Sequence, residues 1–369
     1  MNIGVDIRPL LDAQLTGVGE YTYHLLNTLF EQDTHNEYHL FYNAYHVPPH
    51  MTHLWNDKPN VHHKPSHIPN KLLNASLAFL HTPHIDAMTL KNLDWFISPN
   101  PHFAAYHPNT QLLQIVHDLT PVLYPEFFSA KMRFLNRFIY PHSFKTAHHF
   151  MVVSKSAKED LQALCDIEEK NITVAYPGLD PLFRKQAQPE AVRTVRERYH
   201  LPERFILFLG TNEPRKNIES LVRAFELWNP SDVGLVIAGK QGWSAPLRTK
   251  HNKVWYIDYI GREEKPALYA AAVCFVYPSF YEGFGFPPLE ALSQGTPVMV
   301  SHTSSMGEVF GDNALLIDPW RPGELAELLP EYLTCHGELH PRAARIAFAQ
   351  SFTWDTTVKK LLDILMSTN

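Results

Sequence analysis

The sequence predicts an α/β protein of two domains, each built on a doubly wound parallel sheet. Three observations predict it. Short apolar runs alternate with amphipathic stretches along most of the chain, the pattern of strands joined by covering helices. The alternation comes as two successive series, separated by the loop at residues 176–180. The chain has 369 residues, 45% of them hydrophobic, which is enough apolar material for two cores.

In chain order, the first series predicts strands at residues 2–7, 38–42, 95–98, 112–117, 150–153 and 172–175. A helix at 18–30 follows the first strand, with Val18, Tyr21, Leu25, Leu26 and Leu29 on one face. Residues 45–84 break the rhythm. They are rich in His and Pro, without clear periodicity, and read as a polar surface loop. His62, His63 and His67 in it suggest a metal, but no second cluster with ligand spacing supports one. Residues 131–145 read as a basic helical stretch carrying Arg133, Phe134, Arg137 and Phe138, suited either to a membrane surface or anionic acceptor, or to plain solvation. Another helix is expected at 156–165. The second series opens with a helix near 190–199. Its strands are expected at 205–209, 234–238, 254–257, 273–277, 297–300 and 314–317, and its further helices at 218–227, 265–272 and 288–294. Residues 355–366 form a last helix, with Asp355 as its expected N-cap.

Bulk properties exclude some classes. The net charge is −6, with 22 histidines counted as neutral, so the global basic signature of a nucleic-acid binder is missing. Cys165, Cys274 and Cys335 are widely spaced and form no CxxC pair, which fits a reducing compartment better than a disulfide or zinc framework. The N-terminal residues lack the pattern of a secretion signal, and no apolar run approaches the ~20 residues of a membrane span. The expected location is cytoplasmic, with a peripheral inner-membrane position as a further option.

Three stretches carry chemistry. Thr16-Gly17-Val18-Gly19 joins the first strand to the first helix. Glycines let a ligand approach the backbone, and a helix N-terminus offers N–H groups to an anion; the same residues also suit a helix start that simply needs small side chains. The strand at 205–209 ends in Gly210-Thr-Asn-Glu-Pro-Arg215-Lys216-Asn217, which delivers two cations to a strand's carboxyl end. Arginine there is a bidentate fork and lysine a point charge, a pair suited to a diphosphate. Most informative is Tyr277-Pro-Ser-Phe-Tyr-Glu282-Gly283-Phe284-Gly285-Phe-Pro-Pro-Leu-Glu290. It sets two carboxylates around a glycine turn and the first turn of a helix, where both can grip the hydroxyls of one polyol.

This last stretch resembles the E-x7-E signature of the retaining glycosyltransferases of family 4. Val116-His117-Asp118, Val153-Ser154, Tyr176-Pro177-Gly178, Glu213-Pro-Arg-Lys-Asn217, Ile237-Ala-Gly239 and Phe352-Thr-Trp354 fall in that family's order. The resemblance implies the GT-B architecture: two facing Rossmann-like domains with the active site in the cleft. Residues 1–178 with the returning helix 355–369 would hold the acceptor, and residues 179–354 the nucleotide-sugar donor. It further implies that Lys216 neutralises the diphosphate, Glu282 holds the transferred sugar and Glu290 the ribose. The Gly283–Gly285 amides, with Phe284 between them, would contact sugar or phosphate. Gly17 and Gly19 would approach the donor from the other domain, and His117 would sit near the reacting sugar. Many members carry Arg where this chain has Thr211; Arg215 is a candidate to replace that charge.

No DxD-like metal motif is present, since Asp57, Asp94 and Asp118 stand alone, so neither metal nor other cofactor is expected. The run Val116-His-Asp-Leu-Thr-Pro121 with Tyr124-Pro125 resembles mannosyltransferases of bacterial surface polysaccharides. It implies GDP-mannose as donor and a glycan or lipid-linked oligosaccharide as acceptor. A UDP-sugar transferase of the same family and a nucleotide-sugar 2-epimerase of the same fold are the alternatives.

Overall fold

The computed structural model describes residues 1–367 except 103, 245, 248, 250 and 340, with the backbone alone at 336–339. The chain divides into two compact units, Met1–Gly178 with Trp354–Asn369, and Leu179–Thr353.

The first unit contains β1 (Asn2–Asp6), α1 (Gly17–Gln32), β2 (Glu37–Asn43), β3 (Val61–Ser66), α2 (Asn70–Leu80), α3 (Ile85–Thr89), β4 (Trp95–Ser98), β5 (Gln111–Val116), α4 (Thr120–Leu123), α5 (Ala130–Thr146), β6 (His149–Val152), α6 (Lys155–Leu164) and β7 (Ile172–Val174). Its seven strands lie in the order β3-β2-β1-β4-β5-β6-β7, and every pairing is parallel. Such strands are covered on both faces, so they read as continuous apolar runs rather than alternating ones. One face is packed by Tyr140 and Phe144 of α5 and Leu161 of α6, against Val116, Phe150 and Val152.

Residues 45–84 are a correction to the expected polar loop. They contain β3 and α2. β3 is the edge strand and buries only Val61 fully, so its His and Lys residues show no inward periodicity. Its Pro65 cannot donate to a ladder, which an edge tolerates. In α2 only Leu73 and Leu77 are buried, one turn apart, against Phe41, Leu93 and Phe96. The histidines tie this region down. His62 bonds Glu37 (2.7 Å), His63 bonds the Leu54 carbonyl (2.8 Å) and His67 bonds the Ala44 carbonyl (2.9 Å).

The second unit contains α7 (Pro189–Arg198), β8 (Phe205–Leu209), α8 (Ile218–Trp228), β9 (Gly234–Ala238), β10 (Val254–Ile257), α9 (Lys265–Ala271), β11 (Cys274–Tyr277), α10 (Phe286–Ser293), β12 (Val298–Ser301), α11 (Ser305–Phe310), β13 (Leu315–Ile317), α12 (Pro322–Leu339) and α13 (Arg342–Gln350). The six strands lie in the order β10-β9-β8-β11-β12-β13, again all parallel. The last helix, α14 (Trp354–Met366), belongs to the first unit and packs on α1. It starts at Trp354, so Asp355 lies in its first turn and is not the N-cap; Asp355 accepts instead from Gln32 of α1 at 2.5 Å.

Candidate active site

In the second sheet the chain passes from β8 to β9 on one side, while β11 lies on the other. This reversal between β8 and β11 is where an open α/β sheet receives a ligand, beyond the strands' carboxyl ends. Both strands end in the residues singled out above. A single helical turn at Pro214–Lys216 follows β8, and the loop after β11 leads to Glu282.

The carboxylate of Glu282 is buried between two cations. Its Oε1 accepts from Lys216 Nζ at 2.6 Å and its Oε2 from Arg215 Nη1 at 2.6 Å. Arg215 also bonds the Tyr281 carbonyl and the Glu213 carboxylate, the latter at 3.1 Å. Lys216 donates to the Tyr277 hydroxyl as well. Burial alone raises the Glu282 carboxyl, but Arg215 and Lys216 outweigh it and hold the group at about 2. One carboxylate is thus shared by two cations. Burial and the neighbouring Arg215 push the Lys216 ammonium below its ordinary value, against the pull of Glu282.

Three groups that the sequence reading missed hold this cluster. Asn217 adopts a left-handed backbone, φ 54°, and its side-chain amide donates to the Pro278 and Pro319 carbonyls at 3.1 and 2.7 Å. It therefore fastens the Arg215-Lys216 turn to the ends of two other segments. Ser304 accepts from the Glu282 N–H at 2.9 Å, and Ser305 donates to the Glu282 carbonyl at 2.8 Å. The only local signal was an Asn before an apolar helix, and it reads as an N-cap; the side chain makes no capping bond.

Glu290 lies farther into its helix than the sequence implied. α10 begins at Phe286, so Glu290 is in the second turn rather than the first. It is buried and accepts from the Tyr269 hydroxyl at 2.7 Å. Gly285 precedes the helix at φ 101°, a backbone conformation that favours glycine. Phe284 turns its ring into an aromatic cluster with Phe286 and Phe352, leaving backbone as the chemistry that the Gly283–Gly285 loop can offer.

In the first unit, His117 follows β5 and donates from Nε2 to the Pro99 carbonyl at 2.9 Å. That bond fixes the neutral tautomer with Nδ1 as a hydrogen-bond acceptor. Burial lowers the ring's pKa to about 4, so it is neutral at neutral pH. Tyr21 of α1 meets the His117 ring edge-on at 4.6 Å and Trp354 of α14 at 5.2 Å, so the last helix helps fix the histidine. Gly17 has open space where a Cβ would stand. At Gly19 a Cβ would lie 2.9 Å from the Pro9 carbonyl oxygen, so its small size serves packing within the unit. Among the described residues no group of three His, Cys, Asp or Glu side chains is placed to hold a metal.

Known structures share this architecture. Over the full length of both chains, the fold is similar to Anabaena HepE in complex with UDP and glucose (TM-score 0.71, 17% identity). It is also similar to WaaG, a glycosyltransferase involved in lipopolysaccharide biosynthesis, at TM-score 0.66 and 18% identity, covering 99% of this chain and 100% of that one. Two Rossmann-like parallel-sheet units of this kind are the GT-B fold, and the protein is a glycosyltransferase. Residues 15–182 match the family model described as Glycosyltransferase Family 4, and residues 194–349 match that of Glycosyl transferases group 1. The chain belongs to glycosyltransferase family 4. It is 28% identical over 367 residues to O-antigen chain mannosyltransferase B of Escherichia coli, covering 95% of each chain. It is 29% identical over 210 residues to the O-antigen chain mannosyltransferase RfbU of Salmonella typhimurium, covering 55% of this chain and 56% of that one.

Proposed function

We propose that the chain transfers mannose from GDP-mannose to a growing surface glycan, with retention at the anomeric carbon and without a metal or other cofactor. The observation that carries the transfer reading is Glu282 clamped by Arg215 and Lys216 at the β8/β11 reversal. A nucleotide-sugar brings partners for both halves of that clamp. Its diphosphate takes the two cations, and its sugar hydroxyls donate to the carboxylate so released. Glu290 holds the ribose hydroxyls, and the neutral Nδ1 of His117 accepts from a sugar hydroxyl. As the bond from the anomeric carbon to the diphosphate breaks, its electron pair leaves with the diphosphate, whose growing charge the cations stabilise. The acceptor oxygen bonds to the same face of that carbon and its proton passes to the departing diphosphate. The choice of mannose is supported by the similarity, over 95% of both chains, to an O-antigen mannosyltransferase.

The acceptor is read as lipid-linked, which calls for contact with an anionic membrane face. Supporting this, α5 carries Lys131, Arg133, Arg137 and Lys145 and no acidic residue, with Phe134 (64%) and Phe138 (50%) exposed, although the whole chain has a net charge of −6. No helix of the described residues is long and apolar enough to cross a membrane.

Calorimetry with GDP, UDP, GDP-mannose and UDP-glucose in the presence of a chelator tests the donor assignment. The expected result is binding of GDP and GDP-mannose that weakens in Lys216→Ala. Binding of UDP compounds alone removes mannose from the reading, and binding of none by folded protein removes the transfer reading.

A further inference from the structure

The first sheet has the same reversal as the second. From β1 the chain runs to β2 on one side, and β4 pairs on the other. Asp6, Arg8 and His102, at and beyond the carboxyl ends of β1 and β4, take no part in the contacts of His117 or of the Glu282 clamp. Asp6 ends β1, Arg8 lies two residues on, and His102 follows β4. Asp6 Oδ1 accepts from the Arg8 backbone N–H and from Arg8 Nε, each at 3.0 Å. Its Oδ2 accepts from Arg8 Nη2 at 2.6 Å and lies 2.8 Å from His102 Nε2. His102 Nδ1 donates to the Asn100 carbonyl.

The carboxylate is therefore saturated, and its side chain is only 1% exposed, which leaves it unable to act as a base or to grip a hydroxyl. What reaches the surface is the other side of the cluster. The Arg8 side chain is 19% exposed, and among the described residues its Nη1 has no hydrogen-bond partner. The guanidinium lies over the Phe41 ring at 5.6 Å, which together with Asp6 fixes its plane. This end of the sheet thus presents the oriented Arg8 guanidinium, while the Asp6 carboxylate and both His102 nitrogens are taken up inside the cluster. Immobile donors facing outward at a sheet reversal select a ligand rich in acceptors, and a polyol with as many donors as acceptors fits them less well. The β8/β11 reversal is built alike in one respect, a buried carboxylate that orients a neighbouring arginine.

We propose that the Arg8 guanidinium forms a second anion site that binds a phosphate group carried by the acceptor, with Asp6 as the positioning residue that aims it and His102 packed behind that carboxylate. This rests on the reading that the first unit receives the acceptor. The phosphate can come from a lipid-linked diphosphate or from a phosphorylated sugar.

The probe is inorganic pyrophosphate, titrated calorimetrically into protein saturated with GDP so that Arg215 and Lys216 are already engaged. One further binding event is expected, weakened at least about tenfold in Arg8→Gln with GDP affinity unchanged. No second event in the wild type, or an event unaffected by Arg8→Gln, overturns the proposal. Because Arg8→Gln leaves a buried carboxylate unpaired, Asp6→Asn/Arg8→Gln provides a variant without that charge, and retention of the event there overturns the proposal equally. Competition by a hexose 1-phosphate assigns the anion to a sugar, competition by a short polyprenyl diphosphate assigns it to a lipid, and competition by neither overturns it. If GDP itself fails to bind, the same titration in Lys216→Ala separates the two readings: an Arg8-dependent event there supports the anion site while the donor assignment falls, and its absence overturns the anion site as well.

Discussion

Glu282 and Lys216 are bound to each other before any ligand arrives, and this decides how each substitution should read out. On the proposed donor reading, Lys216→Met removes one of the two cations offered to the diphosphate, so GDP affinity should fall about 10- to 100-fold. Glu282→Gln releases both cations, so GDP should bind at least as tightly as to the wild type while transfer falls by a hundredfold or more. A fall in GDP affinity in both variants would show that the clamp is only a structural ion pair. The same glutamate shapes acid stability. Its pKa is lowered from 4.5 to about 2 in the folded chain, so its contribution, on the order of 3 kcal/mol, is fully present above about pH 4.5 and is lost as pH falls through about 2. Glu282→Gln should flatten that limb of the stability profile. The carboxylates and cations were legible in the sequence because their spacing is local. Asn217, Ser304 and Ser305 were not, since their bonds depend on a left-handed backbone and on segments far along the chain. Asp6 and Arg8 stood in the first strand and turn, but nothing local showed that His102 would complete them.

At the scale of elements, the apolar runs located even the partly exposed edge strands β7, β10 and β13, and failed at β3, which continues after Val61 as His-His-Lys-Pro-Ser, and at α2. β3 thus offers no apolar run, and α2 buries only Leu73 and Leu77, so neither has the periodicity that pattern reading needs. α2 instead exposes Leu72, Phe79 (82%) and Leu80, and its C-cap His81 stacks on His142 of α5 at 5.2 Å. Phe134, Phe138 and His142 follow one another at four-residue spacing on α5. The histidine pair joins the end of α2 to α5, and both helices carry basic residues and no acid. This composition fits an anionic bilayer surface. Phe134→Ser/Phe138→Ser should lower co-sedimentation with vesicles containing phosphatidylglycerol by about tenfold without altering GDP binding, and wild-type binding to vesicles should weaken as salt is raised. Equal sedimentation of variant and wild type would remove α5 from the contact.

At the scale of the whole chain, the order of segments in sequence differs from their order in folding units. The first unit is interrupted by the entire second unit and is completed by α14. That helix buries Trp354, Val358, Leu361, Ile364 and Leu365, and it is tied to the first unit by Thr357, which donates to the Tyr176 carbonyl at 2.6 Å. Burying a large apolar side chain contributes roughly 1.5–3 kcal/mol, so the five together approach the 5–15 kcal/mol that stabilises an ordinary domain. Truncation after Thr353 should therefore unfold the first unit selectively. The second unit keeps all its strands in that truncation, along with the Glu282 clamp and its aromatic cluster of Phe284, Phe348 and Phe352. Calorimetric scanning should show one transition lost and one retained, and GDP should still raise the retained one. Loss of both transitions would mean that the second unit depends on the first for its stability, and loss of neither would mean that α14 contributes far less than its burial indicates. The retained, GDP-sensitive transition would also place the nucleotide on the unit of residues 179–353, independently of any measurement of transfer.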